Sequence, residues 1–323
     1  MPVSIDTSNA ALASLYDGIP YEALPHPASH PARLATVATF VGHGAPRLES
    51  CNVLEVGCND GSNLIPMAVS LPAARFVGCD LSSRALDAGR RSISALGLTN
   101  ITLVEGDLAA LAPAHGDFDF IVAHGVYSWV PPDVRDALFA LAAARLARDG
   151  ILYVSFNVLP GCRVRQAAWD VLRALIANQP ATYEVASVDD RLHLGPLSRP
   201  LEDIFTDAYM WGIVDLHVHP PALTIRASDR PVASPLARLQ ARTRDNVTTL
   251  LHTQVGIADV NALRLLPLVD GTRDRAALAS AVKQIAVNID PSRAQDFVNY
   301  ALEKFARLGL LMPDGAADTS SRQ

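Results

Sequence analysis

Along this chain the period of apolar and polar positions changes several times, and each change marks an element. Residues 19–31 (IPYEALPHPASHP) are broken by proline and histidine, whereas residues 32–44 (ARLATVATFVGHG) repeat apolar positions at helical spacing and predict one amphipathic helix. From Cys51 short apolar runs take over. CNVLEVG, ARFVGCDL, NITLVEGDL, FDFIVAHG and GILYVSFNVL read as five strands, with NLIPMAVSLP, SSRALDAGRRSISALGL and PPDVRDALFALAAARLA as interleaved helices. Boundary residues agree: Ser82 and Ser83 cap a helix after Asp80, Gly97 closes it, and Pro131 and Pro132 open the next. The pattern predicts an α/β fold, a doubly wound, mainly parallel sheet with helices on both faces.

Beyond about residue 180 the pattern shifts. Residues 178–200 mix Pro, Gly and polar positions in the manner of a linker or lid. LEDIFTDAYMWGIV then predicts a helix and VDLHVHPPALTIRA a strand-like stretch; DGTRDRAALASAVKQIA, DPSRAQDFVNYALEKFARLG and LLMP read as helix, turn, helix and short strand. This is a smaller, mostly helical, winged-helix-like module. The expected organisation is an N-terminal extension or lid (1–50), an α/β domain (51–180), a linker (181–204), the C-terminal module (205–316) and a frayed tail (317–323).

Composition narrows the function classes. Of 323 residues half are apolar and 19% charged, which excludes disorder and suits two folded domains. The four cysteines, Cys51, Cys58, Cys79 and Cys162, form no CxxC pair and no His-Cys ligand spacing, so buried reduced thiols are expected rather than disulfides or a metal. A net charge of -6 argues against nucleic acid or an anionic membrane as partner. From Ala222 onward 13 Lys/Arg face 10 Asp/Glu, an excess too small and too dispersed for groove reading, and better suited to a substrate platform or a homodimer contact. The N-terminus lacks a basic segment followed by an apolar one and no run reaches 18 apolar residues; a cytoplasmic protein without membrane insertion is expected.

The chemistry begins at the first strand-to-helix turn, Glu55-Val56-Gly57-Cys58-Asn59-Asp60-Gly61-Ser62-Asn63. Glycines there let the backbone approach a ligand, and the following helix points its amides into the same space. Dinucleotide folds use G-x-G-x-x-G, whereas here Gly57, Asn59 and Gly61 follow Glu55 in an E-x-G-x-G-x-G spacing with Asn in the middle. That spacing favours S-adenosylmethionine, with Glu55, Gly57, Asn59, Gly61 and Asn63 as its expected contacts in the turn. Asp80, ending the second strand 19 residues after Gly61, is placed to accept both ribose hydroxyls, and Asp107, ending the third, to reach the adenine amino group, with Leu81 and Leu108 following them. Acids at strand ends also cap helices, so each alone is a weak signal.

The stretches YDGIPYEALPHPASHPARLATVATFVG, VLEVGCNDGSNLIPMAVSLPAARFVGCDLS and above all FDFIVAHGVYSWVPPDVRDALF are similar to bacterial class I methyltransferases that carry a methyltransferase regulatory domain, a family that includes protein-lysine methyltransferases. RPVASPLARLQARTRDNVTTLLHTQV and LLPLVDGTRDRAAL resemble the C-terminal domain of the same family. The resemblance covers roughly residues 15–175 and 205–312. It implies a Rossmann-like class I methyltransferase fold, S-adenosylmethionine as cofactor, and a protein lysine as acceptor. It also matches Tyr16, Asp17 and Tyr21 to the family's Y-D-x-x-P-Y stretch, either a lid over the cofactor or a staple onto the domain. The sequence departs at Asn59, which fits a glycine position if its backbone is left-handed, and in length: family members are usually longer, and the middle region reads as shortened to the linker.

Methyl transfer from a sulfonium asks the protein mainly to orient a nucleophile and exclude water. The fourth strand ends in His124-Gly125-Val126-Tyr127-Ser128-Trp129, where ligands bind in open α/β sheets. Tyr127 and Trp129 either wall a cationic nitrogen or pack the helix that follows, and His124 either relays a proton or makes a structural hydrogen bond. Asn157 lines the acceptor pocket or merely forms a turn before Pro160 and Gly161. A D-x-H-x-H at Asp215, His217 and His219 matches metal-dependent hydrolases, but only about 100 residues with one further imidazole, His252, follow it, so no metal is expected. Methyl transfer to a nitrogen is the favoured function. The alternatives are a small-metabolite acceptor, or a non-catalytic protein that keeps the cofactor fold and binds a partner.

Overall fold

In the computed structural model the described residues are 23–107, 117–157 and 222–313. Tyr16, Asp17, Tyr21, Leu108, Pro160, Gly161, Cys162, the linker 181–204, the helix expected over 201–214, the D-x-H-x-H residues and the tail lie outside them. Residues 1–154 and 217–323 belong to one compact unit, and Ser155–Leu216 to a second.

The α/β portion runs α1 (Pro31–Phe40), β1 (Asn52–Val56), α2 (Leu64–Ser70), β2 (Arg75–Asp80), α3 (Ser83–Ala95), β3 (Ile101–Glu105), β4 (Phe118–Ala123), α4 (Pro132–Arg145) and β5 (Leu146–Val154). All four neighbouring strand pairs are parallel, in the order β3-β2-β1-β4-β5. The chain moves outward from β1 through β2 to β3, then returns to β4 on the other side of β1. The C-terminal ends of β1 and β4 therefore flank the point where the strand order reverses, the place where open α/β sheets bind ligands.

Alternation along the strands divides the core. Val53, Phe76 and Phe120 face one side with Leu34, Leu64, Met67 and Leu86 of α1, α2 and α3; Leu54, Val77 and Ile121 face the other with Leu138 and Ala142 of α4. Helices thus cover both faces, as the pattern predicts. Ser82 caps α3 through the Ala85 amide and Pro132 is the first residue of α4. Cys51, Cys58 and Cys79 are buried free thiols; burial pushes Cys51 and Cys79 up to about 12, so they stay protonated. The last strand differs from expectation. It begins at Leu146 rather than Gly150, because its register against β4 jumps between Phe118 and Phe120 and the intervening residues form a bulge.

The C-terminal portion is a winged helix: α5 (Pro235–Gln240), the antiparallel pair β6 (Asn246–Thr248) and β7 (Gln254–Gly256), then α6 (Val260–Leu265), α7 (Arg275–Ile285) and α8 (Ala294–Arg307). Leu265, Leu278, Val298, Leu302 and Phe305 form its core. Gln240 clamps the wing: its Oε1 accepts from the Thr248 amide (2.7 Å) and its Nε2 donates to Thr248 Oγ1 (3.1 Å). At the tip His252 takes a left-handed backbone (φ 59°) and is buried. The residues of 222–227, placed in a strand-like stretch by the sequence, are a loop.

Candidate functional site

The turn after β1 is shaped by three left-handed residues, Gly57 (φ 70°), Asn59 (φ 49°) and Gly61 (φ 73°). A side chain at Gly57 would also strike Val126, its Cβ lying 2.6 Å from Cγ2. The amides of Gly57 and Cys58 both donate to the Cys79 carbonyl (2.9 and 3.1 Å), and that of Asn59 donates to Asp80 Oδ2 (2.7 Å). The other oxygen, Oδ1, accepts from Ser82 N (2.9 Å), and the Gly106 amide reaches the Asp80 carbonyl (2.9 Å). Asp80 thereby joins the ends of β1, β2 and β3, with Leu81 half-buried beside it and Asp107 exposed just past β3.

Glu55 sits beneath this turn, 3% exposed. Its Oε1 accepts from Asn63 Nδ2 (2.7 Å), while Oε2 is buried without a hydrogen-bond partner. Burial first, and then the neighbouring carboxylates Asp80 and Asp60, push the carboxyl up to about 8 against the opposing Asn63 hydrogen bond. Raised that far, the carboxyl holds its proton near pH 7, so the unpartnered Oε2 is a buried hydroxyl beneath the acids Asp80 and Asp60, a setting that suits a ligand bringing a positive charge better than a pyrophosphate.

Asn63, one of the residues expected to touch a cofactor, has its side chain fully engaged with protein. Oδ1 accepts from the His26 amide (2.8 Å) and lies 2.9 Å from His252 Nε2; Nδ2 donates to Ser29 Oγ (3.0 Å) as well as to Glu55. His26, Ser29 and His252 carry no local sequence signal that would single them out. His26 and Ser29 come from the segment before α1, and His252 from the wing.

On the other side of the switch point the His124 ring stacks on His26, and His124 Nδ1 lies 3.4 Å from the Tyr153 hydroxyl of β5. Burial lowers both imidazoles, His26 to about 4 with help from its like-charged neighbour, so both are neutral near pH 7. Tyr127 is turned toward α4, edge-on to Phe139 and with the Arg135 guanidinium over its ring at 5.2 Å. A ring carrying one cation is a poor wall for a second. Trp129 is 58% exposed, and Asn157 is exposed. Among the described residues no group of three or more His, Cys, Asp or Glu could hold a metal, and no helix is long and apolar enough to cross a membrane.

Residues 53–150 match the methyltransferase domain family and residues 229–296 the PKMT C-terminal winged helix domain. Two uncharacterized proteins of Rickettsia prowazekii are similar: one is 41% identical over 169 residues (52% of this chain, 29% of the relative), the other 32% over 157 residues (49% and 63%). The chain thus spans less than two thirds of either relative. In overall fold it resembles PKMT2 from Rickettsia typhi at 17% identity, with TM-score 0.71 over 91% of this chain and 100% of that one, and 0.68 over 90% and 100% for the structure of PKMT2 in complex with AdoHcy.

Proposed function

We propose that this chain, whose residues match a methyltransferase domain followed by a PKMT C-terminal winged helix domain, is a class I S-adenosylmethionine-dependent methyltransferase that binds S-adenosylmethionine over the β1–α2 turn and transfers the methyl group to a protein lysine. The observation that carries the reading is the hydrogen bond from the left-handed Asn59 to Asp80, above the orphaned Glu55 oxygen. It supports a cradle with the right chemistry: Asp80 and Leu81 toward a ribose, Asp107 toward an adenine amino group, and Glu55, Gly57, Asn59 and Gly61 toward the cationic arm. Tyr16 and Leu108 remain candidates on sequence grounds alone. Asn63 serves this site by holding Glu55.

S-adenosylmethionine supplies a methyl group already activated for in-line displacement. The chain's own task is to align a neutral amine, keep water away and receive a proton. His124 is proposed as the proton acceptor, kept uncharged by burial beside His26 and Tyr153. A lysine arriving there also loses its charge more readily, since desolvation disfavours the ammonium. Trp129, which is exposed, is proposed to meet an incoming lysine ammonium by cation-π contact before it loses its proton, and Tyr127 to steady the 124–129 turn against Arg135 and Phe139.

Calorimetry with S-adenosylmethionine, followed by incubation with methyl-labelled cofactor and a lysate, tests the reading. Label on protein lysine, absent with Asp80→Ala, is the expected result. Label only in the small-molecule fraction would move the acceptor to a metabolite, and cofactor binding without any transfer would make this a binding protein.

A further inference from the structure

The C-terminal winged helix brings a buried imidazole, His252, to Asn63 at the end of the β1–α2 turn. The His26 main-chain N–H is an obligatory donor, so the Asn63 atom it meets at 2.8 Å is the amide oxygen and the Asn63 nitrogen faces Glu55 and Ser29. His252 Nε2, 2.9 Å from that same oxygen, must therefore be the donor, which fixes its tautomer. All four partners of Asn63 are accounted for: one from the strand that carries the site, two from the segment before α1, and one from the wing, 189 residues away. The wing tip is built to deliver it. His252 adopts a strained left-handed backbone, its amide donates to the Thr249 carbonyl (3.1 Å), and its ring is edge-on to His30, the N-cap of α1, at 5.1 Å. A fully buried imidazole held this way in a polar contact is doing more than filling space.

We propose that His252 is a positioning residue of the cofactor site: donating from the wing to Asn63, it fixes the amide that holds the Glu55 carboxyl, so that the C-terminal module completes the cofactor turn. The proposal rests on the reading of the β1–α2 turn as the cofactor site. It makes the winged helix part of the binding machinery. By reciprocity of linked equilibria, a ligand that prefers the ordered turn also strengthens the seating of the wing.

His252→Ala and His252→Gln variants of the whole 323-residue chain test it, since a glutamine amide places a donor near the position of Nε2. Two readouts are needed: the dissociation constant for S-adenosylmethionine by calorimetry, and amide hydrogen exchange of the ligand-free proteins. For His252→Ala the expected result is binding weaker by about tenfold, the loss of one buried hydrogen bond, with residues 23–31 and 57–65 exchanging faster and the α8 core unchanged. His252→Gln should restore both. Wild-type binding and wild-type exchange in His252→Ala would overturn the proposal, and so would a glutamine variant no better than alanine. If the wild-type protein itself fails to bind S-adenosylmethionine, the cofactor reading falls, while exchange in residues 57–65 still decides whether His252 holds the turn.

Discussion

The His26 ring lies against that of His124 with centroids 3.6 Å apart and planes 21° from parallel, joining the segment before α1 to the C-terminal end of β4. Two stacked imidazoles tolerate this only while uncharged, and His26 is lowered from 6.5 to about 4. Between those values the unfolded chain binds the proton and the folded one does not, so stability is full above about pH 6.5 and falls as pH drops toward 4. His26→Phe keeps the stack and removes the titration. Thermal melts at pH 7 and pH 5 should show the variant losing less on acidification, by about 1 kcal/mol once solvent screening of a half-exposed ring is allowed for. Parallel pH-stability curves would show that the stack is not the acid-sensitive element.

Glu55 runs the opposite way. Its carboxyl is raised to about 8 by burial, so the folded chain keeps a proton that the unfolded chain releases near 4.5. Stability is full below that pH and is lost as pH rises toward 8. Glu55→Gln should therefore melt higher than wild type at pH 7, by roughly 2–4 °C, and show no gain at pH 4. Affinity for S-adenosylmethionine should fall at the same time. In wild type, binding of the cationic cofactor at pH 7 should release protons, seen as a dependence of calorimetric enthalpy on buffer ionisation heat; the glutamine variant should show none.

Asn59 separates backbone conformation from side-chain chemistry. Its φ of 49° is tolerated by asparagine and costs a β-branched residue about 1–3 kcal/mol. Asn59→Gly should bind the cofactor within about twofold of wild type, because the amide that reaches Asp80 remains in place. Asn59→Val should weaken binding by about tenfold, equivalent to ~1.4 kcal/mol. Equal loss in both variants would mean that the Asn59 side chain itself contacts the ligand.

What could be read from the sequence was whatever lies within one period or one turn. The spacing predicts the first strand over 51–57 and it runs Asn52–Val56; the left-handed Asn59 and the acids at strand ends follow from short motifs. Tyr127 shows where that stops: its ring type is visible in the sequence, but its pairing with Arg135 and Phe139 depends on how α4 leaves the turn. His26 and His252 were invisible for the same reason. Each meets Asn63 across 37 or 189 residues, and a lone histidine has no period to betray it. The β5 boundary shifted because a bulge has no hydrophobic signature of its own.

Gly89 lies in the middle of α3, where helix propensity alone favours alanine by roughly 0.5–1 kcal/mol. Packing opposes it. A Cβ there would fall onto the Asp60 carbonyl oxygen and within 2.6 Å of Leu103 Cδ1, and the first of these is backbone of the β1–α2 turn. Overpacking of this kind costs about 1–3 kcal/mol, more than the propensity gain, so Gly89→Ala should lower the melting temperature. The clash also pushes on the turn between Asn59 and Gly61, so cofactor affinity should fall with it, whereas Gly97→Ala, with nothing within 4 Å, leaves affinity unchanged and reports only the strain of a left-handed alanine. Melting curves and calorimetry on the two variants decide the matter. A Gly89→Ala protein that is stabilised and binds normally would mean that α3 does not press on the cofactor turn.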